Sequence, residues 1–402
     1  MNLNAVYNRL CEIYLDSKVL GAVMKDECDP QSTRIVYGVL ERDYELTYAI
    51  KSLTKTVKPR IAIVLKIGLY CLRYMDSMPD YAVVGETVQL VKSIGKRESA
   101  GFVNAVLRNY LRNGYPIPTD RVNSLSVELS LPPWLTEKLL KQYGDERVRD
   151  MFGIEYKPRE HLRRNAHRIS EVALQKKLRD FTRTEVGGYV LKRTPEVDRL
   201  IRDGALVYQA EGSMIIAGEV IRSHPERVLD VCAAPGGKSV YMSESAHVTA
   251  MDVSETRVGL IRRYAEFTGA KLDVRVNDGT VYNAEIGTFD AVLVDAPCSS
   301  IGLRFTRPDV IVNRRPEDIR SLSAIQYRIL DVSSRYVREG GVLVYSTCTV
   351  LREENEDVVE RFLSEHPEFT VDTGDGYERG CRAILPDGSN PEGFFVARFI
   401  RK

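Results

Sequence analysis

Apolar residues recur every three or four positions through the first part of the chain, which is the spacing of helices buried along one side. Four such stripes are Val6, Leu10 and Ile13; Leu65, Leu69 and Leu72; Val84, Val88 and Val91; and Val103, Val106, Leu107, Tyr110 and Leu111. Pro59 precedes the second stripe and suits the first turn of a helix, where its missing N–H is not needed. Because the stripes must be buried against one another, residues 1–118 are predicted to form an all-helical bundle.

The middle of the chain carries a weaker pattern. Residues 119–158 are predicted to be a helical linker, which contains Pro132 and Pro133. Residues 159–208 mix charged residues with short apolar runs, and we interpret them as a small α+β subdomain.

The pattern changes from Arg227 onward, where short apolar runs alternate with helical segments. The predicted strands are 228–231, 248–251, 274–276, 291–294 and 342–345. Each run is apolar on both faces, which is typical of a parallel sheet covered by helices on both sides. Residues 209–402 are therefore predicted to be an α/β domain with a doubly wound, mostly parallel sheet.

Composition narrows the class of protein. The chain has 402 residues, of which 44% are hydrophobic, and a formal net charge of +1, so it is long enough for two or three cores. Its start lacks the pattern of a signal peptide, and its apolar runs are too short to span a bilayer. The seven cysteines include no Cys-x-x-Cys pair, and the five histidines form no metal motif. We therefore expect a cytoplasmic monomer with reduced thiols, no metal and no membrane partner.

The near-zero net charge conceals two basic clusters. One comprises Lys157, Arg159, Arg163, Arg164 and Arg168, and the other comprises Arg304, Arg307, Arg314 and Arg315. Such clusters usually form a solvated face of the protein. The alternative is a surface that contacts the phosphates of a nucleic acid.

The segments that follow the first three predicted strands suit a nucleoside-type cofactor. The first is a loop of small residues with a lysine: Cys232, Ala233, Ala234, Pro235, Gly236, Gly237 and Lys238. Its small side chains allow a ligand to approach the backbone closely, and the start of a helix is expected just beyond it. Asp252 ends the second strand and suits a ribose diol, while Asp278 follows the third and is a candidate for contact with an adenine. A dinucleotide site is the alternative, but the loop lacks the G-x-G-x-x-G pattern.

Two cysteines follow the last two predicted strands. Cys298 comes shortly after Asp295, and Cys348 follows a Ser-Thr pair. A single cysteine at such a place is more often a small buried apolar residue. Because the carboxyl ends of parallel strands converge on one crevice, however, both thiols are predicted to face the cofactor and to take part in covalent catalysis. Placement at strand ends does not decide which of the two is the nucleophile.

Three motifs, at 229–239, 295–299 and 346–349, closely resemble those of the Sun/RsmB-type RNA cytosine-5 methyltransferases, and the last is followed by Glu-Glu-Asn-Glu at 353–356. Residues 393–397 are similar to the closing strand of that family. Segments 68–74, 86–88 and 101–108 resemble the NusB-like helical domain of the RsmB branch. The resemblance covers nearly the whole chain and is weakest at about 159–203.

The resemblance implies a class I (Rossmann-like) methyltransferase domain behind a NusB-like RNA-binding domain, with S-adenosylmethionine as cofactor. It implies that Cys348 is the nucleophile and that Cys298 assists release of the product. Apart from the resemblance, the carboxylate of Asp295 is a candidate to hydrogen-bond the base edge around N3 and N4 and to polarise the ring. The implied cofactor contacts are residues 232–238 with Asp252, Asp278 and Asp295. Ribosomal RNA is the implied substrate; the alternatives are transfer RNA and a non-catalytic role in ribosome assembly.

The chain departs from the family pattern on the expected substrate side. Phe305 and Thr306 stand where two adjacent arginines are usual, and Val312 stands where a tryptophan is usual. Gln209 is followed by Ala210 rather than by aspartate. These changes bear on the choice of RNA rather than on the reaction.

Overall fold

The structure is a computed structural model that describes residues 2–25, 28–76, 78–154, 160–178, 180–372, 381–388 and 390–402. The chain divides by contacts into two compact units. The helical unit comprises 1–155, 303–316 and 387–391, and the sheet unit comprises 156–302, 317–386 and 392–402. The four domain ranges predicted from the sequence remain predictions, because a division by contacts does not locate the boundaries between domains.

The helices begin and end as follows: α1 Leu3–Tyr14, α2 Leu20–Val23, α3 Pro30–Glu41, α4 Asp43–Leu53, α5 Pro59–Tyr74, α6 Asp80–Ser93, α7 Ala100–Asn113, α8 Arg121–Leu129, α9 Pro133–Phe152, α10 Glu171–Lys177, α11 Pro195–Arg202, α12 Glu211–Ile221, α13 Gly237–Met242, α14 Glu255–Thr268, α15 Asp309–Val312, α16 Pro316–Ser334 and α17 Glu356–Glu365. The strands are β1 His161–Arg164, β2 Phe181–Arg183, β3 Tyr189–Leu191, β4 Leu206–Tyr208, β5 Arg227–Asp230, β6 His247–Asp252, β7 Asp273–Val276, β8 Phe289–Asp295, β9 Val337–Thr347, β10 Phe369–Val371, β11 Cys381–Ile384 and β12 Phe394–Arg401.

The helical unit is built on the predicted apolar stripes. Val6, Leu10 and Ile13 of α1 are fully buried, in one core with the apolar side chains of α3, α5, α6 and α7. Pro59 is the first residue of α5, as its position before the stripe indicated. The predicted all-helical bundle is therefore observed, and its core extends from α1 to α7.

The main sheet of the sheet unit has the strand order β10-β12-β9-β8-β5-β6-β7, with β11 also paired to β12. Strands β5 to β9 pair in parallel, whereas β12 is antiparallel to β9, β10 and β11. The apolar side chains of α16 and α17 pack on one face, and α12 and α14 cover the other. The predicted doubly wound, mostly parallel sheet is thus observed, and each of the five predicted strands overlaps a strand of the structure.

The small α+β subdomain predicted after residue 159 contains a four-stranded antiparallel sheet in the order β2-β3-β1-β4. Leu162, Tyr189 and Leu206 lie in its core, where α10 and α11 contribute Leu174 and Leu200. Leu162, Tyr189 and Leu206 point to the same face of the sheet, and the two helices pack on that face.

One expectation about exposure was wrong, and another holds for only some of its residues. Strand β7 was predicted to be apolar on both faces, but its residues are mostly exposed, because β7 is the edge of the main sheet. The basic clusters were predicted to form either a solvated face or a phosphate-binding surface; Arg163 and Arg304 are buried, whereas Arg168, Arg307 and Arg315 are exposed, so both interpretations stay predictions for the exposed members. Lys157 and Arg159 lie outside the described residues. Among the helices of the described ranges, none has the length and apolarity needed to cross a bilayer.

We expect two alanine substitutions in the helical unit to have opposite effects on stability. A Cβ on Gly38 of α3 would collide with the Tyr70 ring, so Gly38→Ala should destabilise the chain by about 1–3 kcal/mol through overpacking. A Cβ on Gly85 of α6 would meet no described atom within 4 Å, so Gly85→Ala should stabilise it by about 0.4–1 kcal/mol by reducing the entropy of the unfolded chain. Urea unfolding of the full chain measures both, and equal stability of the two variants would contradict the packing of Tyr70 on α3.

Candidate active site

The loop of small residues joins β5 to α13 at the carboxyl edge of the parallel strands. Gly236 has a φ of 112°, which a residue with a side chain rarely adopts, so a glycine is needed there. Helix α13 is only six residues long. The anion-binding capacity expected of this loop stays a prediction, and a helix this short adds little dipole to it.

Asp252 ends β6 beside this loop, and its carboxylate is bound to the backbone around it. Oδ2 accepts a hydrogen bond from Ala234 N at 3.0 Å, while Oδ1 accepts from Val253 N at 2.8 Å and from Arg257 Nε at 2.6 Å. Asp252 is 3% exposed. The contact with Ala234 fixes this acid next to the loop, at the edge where the sequence predicted a ribose to bind.

Asp278 follows β7, the next strand along the same edge. Its Oδ1 accepts hydrogen bonds from Thr280 N at 2.9 Å and Thr280 Oγ1 at 2.7 Å, and these bonds hold the pKa of the exposed carboxyl below its usual value. The neighbouring Gly279 lies against Val231, because a Cβ there would be 2.9 Å from the Val231 side chain. The Asp278 turn is in this way packed against the residue that precedes the small-residue loop.

Lys238 and Asp295 connect the loop to the end of β8. Lys238 Nζ donates to Asp295 Oδ2 at 2.8 Å, and Ser346 Oγ of β9 donates to Asp295 Oδ1 at 2.8 Å. Burial alone would lower the pKa of Lys238, but the Asp295 carboxylate raises it above its ordinary value. The lysine therefore remains a cation, and it lies close enough to influence Cys348 as well.

The two predicted cysteines are in contact. Cys298 Sγ and Cys348 Sγ are 3.1 Å apart, and Cys348 N donates a hydrogen bond to Cys298 Sγ at 3.3 Å. The oxygen of the Ser300 hydroxyl lies 3.4 Å from Cys348 Sγ. This geometry follows from the parallel pairing of β8 with β9, in which Asp295 and Ser346 are partners.

The surroundings make the two thiols unequal. A hydrogen bond from the Cys298 thiol lowers the pKa of Cys348, burial opposes this, and the Ser300 hydroxyl and the Lys238 charge lower it further. The same hydrogen bond, together with burial, raises the pKa of Cys298 well above the usual value. The pair therefore favours a thiolate at Cys348 and a protonated thiol at Cys298.

Cys232, the third thiol at this edge, is kept protonated. Burial and the nearby charges of Asp230, Asp252 and Asp295 raise its pKa. It can therefore line the loop, as predicted, without competing as a nucleophile.

Backbone hydrogen bonds of Gly302 connect Cys348 to the residue before β12. Gly302 N donates to Cys348 O at 3.1 Å, and Gly393 N donates to Gly302 O at 2.8 Å. A Cβ on Gly302 would collide with the Gly393 carbonyl, so both backbones can approach only because the position is a glycine. The residue that precedes β12 thus contacts the segment that follows Cys298.

Sequence reasoning missed three residues at the site. Asp230 is fully buried at the end of β5, and burial raises its pKa to about 7. Its Oδ2 accepts from Ser239 Oγ at 2.6 Å, whereas Oδ1 has no hydrogen-bond partner among the described residues. Ser300 and Glu354, which contact the two cysteine segments, were also missed. Asp230 left a signal as a charged residue within an apolar run, and Glu354 lies in the Glu-Glu-Asn-Glu segment at 353–356, which was noted without a role.

Among the positions that depart from the family pattern, Phe305 is buried, and Thr306, Val312 and Ala210 are partly buried. In the helical unit, Phe305 is 8% exposed beneath the Arg304 guanidinium, and Val312 packs against the helical core. In the sheet unit, Gln209 Oε1 accepts a hydrogen bond from Arg163 Nε at 2.7 Å. The smaller Val312 is therefore used for packing within the helical unit.

Comparison with known proteins assigns a family to the N-terminal and to the C-terminal part of the chain. Residues 221–400 match the family described as 16S rRNA methyltransferase RsmB/F, and residues 3–112 match the NusB family. The probable ribosomal RNA small subunit methyltransferase B of Bacillus subtilis (strain 168) is 32% identical over 99% of this chain and 96% of its own length. The ribosomal RNA small subunit methyltransferase B of Pectobacterium atrosepticum is 31% identical over 91% of this chain and 89% of its own.

Solved structures agree on the fold. The protein PH0851 superposes with a TM-score of 0.81 at 21% identity and covers 99% of both chains. A methyltransferase homolog protein from Pyrococcus horikoshii superposes with a TM-score of 0.57 at 25% identity, over 69% of this chain and 97% of its own. The predicted fold class, a Rossmann-like methyltransferase domain preceded by a NusB-like helical domain, is confirmed.

We expect the pH dependence of alkylation to reveal the unequal thiols. Iodoacetamide reacts with the thiolate, so the alkylation rate of Cys348 should rise with pH and reach its midpoint below the usual pKa of a cysteine. Cys298→Ala removes the hydrogen-bond donor and should move that midpoint to higher pH, whereas Cys298→Ser retains an O–H donor and should move it less. Mass spectrometry of the Cys348 peptide measures the rate, and an unchanged midpoint in Cys298→Ala would contradict the assignment.

Proposed function

The chain belongs to the 16S rRNA methyltransferase RsmB/F family, and from that premise we propose that it transfers a methyl group from S-adenosylmethionine to carbon 5 of a cytosine in small-subunit ribosomal RNA. The observation that carries the proposal is the pair of thiols at 3.1 Å, beside the Lys238–Asp295 ion pair. A methyltransferase that acts on nitrogen or oxygen atoms does not need such a pair. A vestigial, non-catalytic assembly factor would have no reason to keep the thiols unequal.

S-adenosylmethionine fits the residues at the carboxyl edge. The loop 232–238 offers backbone and small side chains, Asp252 and Asp278 offer carboxylates on neighbouring strand ends, and Asp295 lies beside Lys238 at the end of β8. The unpartnered buried oxygen of Asp230 suits a ligand that brings a hydrogen-bond donor. When bound, the cofactor supplies an electrophilic methyl group.

Cys348 is the proposed nucleophile. Carbon 5 of cytosine is too weak a nucleophile to take a methyl group unaided, and a thiolate that adds to carbon 6 makes carbon 5 electron-rich. The lowered pKa of Cys348 supports this role, since it increases the fraction of thiolate at neutral pH. The Ser300 hydroxyl and the Lys238 ammonium stabilise the same charge.

Cys298 is proposed to assist release. After methylation the proton on carbon 5 leaves to a base of the site or to water, the bond between carbon 6 and Cys348 Sγ breaks, and the sulfur departs with the electron pair. A protonated Cys298 at 3.1 Å can donate a hydrogen bond to this departing thiolate. The raised pKa of Cys298 supports its being protonated at that moment.

Asp295 is proposed to orient and polarise the base. Each of its carboxylate oxygens already accepts one hydrogen bond, from Lys238 or from Ser346, and each can accept another. A carboxylate oxygen can accept a hydrogen bond from the N4 amino group, and a proton held between the other oxygen and N3 would draw electron density away from carbon 6, where the thiolate adds. Its partial exposure, 29% of the side chain, leaves it accessible to a nucleotide.

The substrate class rests on both domains. The NusB match over residues 3–112 supports an RNA-binding role for the helical domain, and the relatives of nearly equal length carry the name of small-subunit ribosomal RNA methyltransferases. The target cytosine must leave its stack to reach the thiols, which favours an unpaired region of RNA. We place this activity in the cytoplasm, where reduced thiols persist, and we expect a monomer.

We expect RNA that contains 5-fluorocytidine to trap the enzyme as a complex that survives denaturing electrophoresis, because fluorine at carbon 5 blocks release. Cys348→Ala should lose this complex and reduce methylation by at least about a thousandfold, the scale of removing a covalent catalyst. Cys298→Ala should instead accumulate the covalent complex on ordinary RNA.

Two outcomes would contradict the proposal. Methylation that persists in Cys348→Ala would remove Cys348 as the nucleophile, and free turnover in Cys298→Ala would remove the release role of Cys298. A radiolabelled methyl-transfer assay on total RNA serves as the common measurement.

We expect bisulfite sequencing of cellular RNA to locate the target. A cytosine in small-subunit ribosomal RNA should be protected in cells that carry this gene and unprotected in cells that lack it. Loss of protection on a transfer RNA alone would replace ribosomal RNA as the substrate, with the same chemistry.

A further inference from the structure

Glu354 is a fully buried carboxylate whose side chain is hydrogen-bonded to Ser299, the residue after Cys298. Its Oε1 accepts hydrogen bonds from Ser299 N at 2.8 Å and from Gln326 Nε2 at 2.9 Å, and its Oε2 accepts from Ser299 Oγ at 2.5 Å. A buried charge is costly unless donors surround it, so three donors in one place mark a carboxylate whose contacts are needed.

These contacts hold both neighbours of Cys298. Ser299, which follows Cys298, is bound to Glu354 through its backbone N–H and its hydroxyl. Pro297, which precedes Cys298, is bound through its carbonyl to Gln326 Nε2 at 2.9 Å, and the same amide group donates to Glu354. The side chains of Glu354 and Gln326 are therefore hydrogen-bonded to the residues immediately before and after Cys298.

Glu354 itself is fixed to the segment that carries Cys348. Tyr345 Oη of β9 donates to the Glu354 carbonyl at 2.5 Å, and Glu354 N donates to Leu351 O at 3.1 Å. Asn355, the next residue, accepts from Thr347 Oγ1 at 2.6 Å and donates to Thr349 O at 3.0 Å, on either side of Cys348. The backbone of Glu354 is thus bound to the segment that carries Cys348, and its side chain is bound to the segment that carries Cys298.

We propose that Glu354 is a positioning residue that sets the separation of the two thiols, and that it acts on product release more than on attack. The inference rests on the proposed release role of Cys298. Cys348 is also held by the pairing of β9 with β8 and β12, which does not involve the Glu354 side chain. Loss of the carboxylate therefore displaces Cys298 and leaves Cys348 where it attacks carbon 6.

The release step shows why separation matters. The bond between carbon 6 and Cys348 Sγ breaks, the carbon 5 proton passes to water, and the sulfur leaves as a thiolate with the bonding pair. At 3.1 Å the Cys298 thiol can donate to that sulfur, whereas a shift of the loop by an ångström removes most of this stabilisation. Methyl transfer precedes this step, so the first turnover should still reach about one methyl group per enzyme, although weakening the Cys298 hydrogen bond also reduces the Cys348 thiolate and slows the attack.

Glu354→Gln tests the proposal, because it keeps the size of the side chain and removes its charge. We expect a burst of about one methyl group per enzyme, then release slowed about tenfold and a matching accumulation of covalent complex on ordinary RNA, the scale of weakened hydrogen bonds to a charged group. Glu360→Gln is the matched control: Glu360 lies on α17, 62% exposed, and pairs with Arg352 at 2.6 Å, so its loss should change neither quantity.

Gln326→Met provides an independent variant should Glu354→Gln fold poorly. It removes the donor to Pro297 O and leaves both Ser299 contacts of Glu354 in place, and it should slow release in the same way. A purely structural role would lower the burst, the turnover and the complex together in a folded variant, and that result would overturn the proposal.

Cys298→Ala measured in parallel separates this inference from the proposed function. If Cys298→Ala accumulates no covalent complex on ordinary RNA, the release role of Cys298 fails. If Cys298→Ala accumulates it while Glu354→Gln and Gln326→Met turn over freely, the positioning role fails and the proposed function stands.

Discussion

The parallel pairing of β8 with β9 is the constraint on which the rest of the site depends. In this register Asp295 is the partner of Ser346, and Ala296 N donates to Ser346 O at 2.9 Å. The two cysteines follow within three residues of these partners, so the pairing alone brings them side by side. A slip of one residue would turn every side chain of a strand to the other face of the sheet. Asp295 would then lose its hydrogen bond from Ser346, and the two thiols would no longer be in contact.

Contact between two thiols has an electrostatic consequence. Two thiolates at 3.1 Å would repel each other strongly in a buried site, so the pair holds on to one proton. The sulfur nearer to the Ser300 hydroxyl and the Lys238 charge becomes the anion, and the other becomes its hydrogen-bond donor. The proposed roles of the two cysteines, one as nucleophile and one as hydrogen-bond donor, would thus follow from the placement of a few neighbours. They require no chemical difference between the cysteines themselves.

The sequence carried the architecture further than the fine structure of the site. Apolar spacing at Val6, Leu10 and Ile13 and the runs that became β5 and β8 were sufficient for the bundle and the sheet, because burial dictates both periodicities. The convergence of Cys298 and Cys348 followed from the topology of parallel strands. The burial of Arg163 and Glu354 could not be predicted in this way, because a charged residue in a sequence normally indicates an exposed position. Only contacts between distant parts of the chain show that hydrogen-bond donors or acceptors surround such a residue.

The contact between Gly302 and Gly393 bears on how this protein is made. Strand β12 follows all other strands of the main sheet in the chain, yet it inserts between β9 and β10 and its preceding glycine contacts the segment next to Cys298. During synthesis the helical bundle can form early, since domains fold as units while the chain emerges. The thiol site, in contrast, cannot be complete until β12 has left the ribosome. On the proposed function, a nascent chain would therefore be unable to transfer methyl groups until β12 has been translated, even if its helical bundle has already folded.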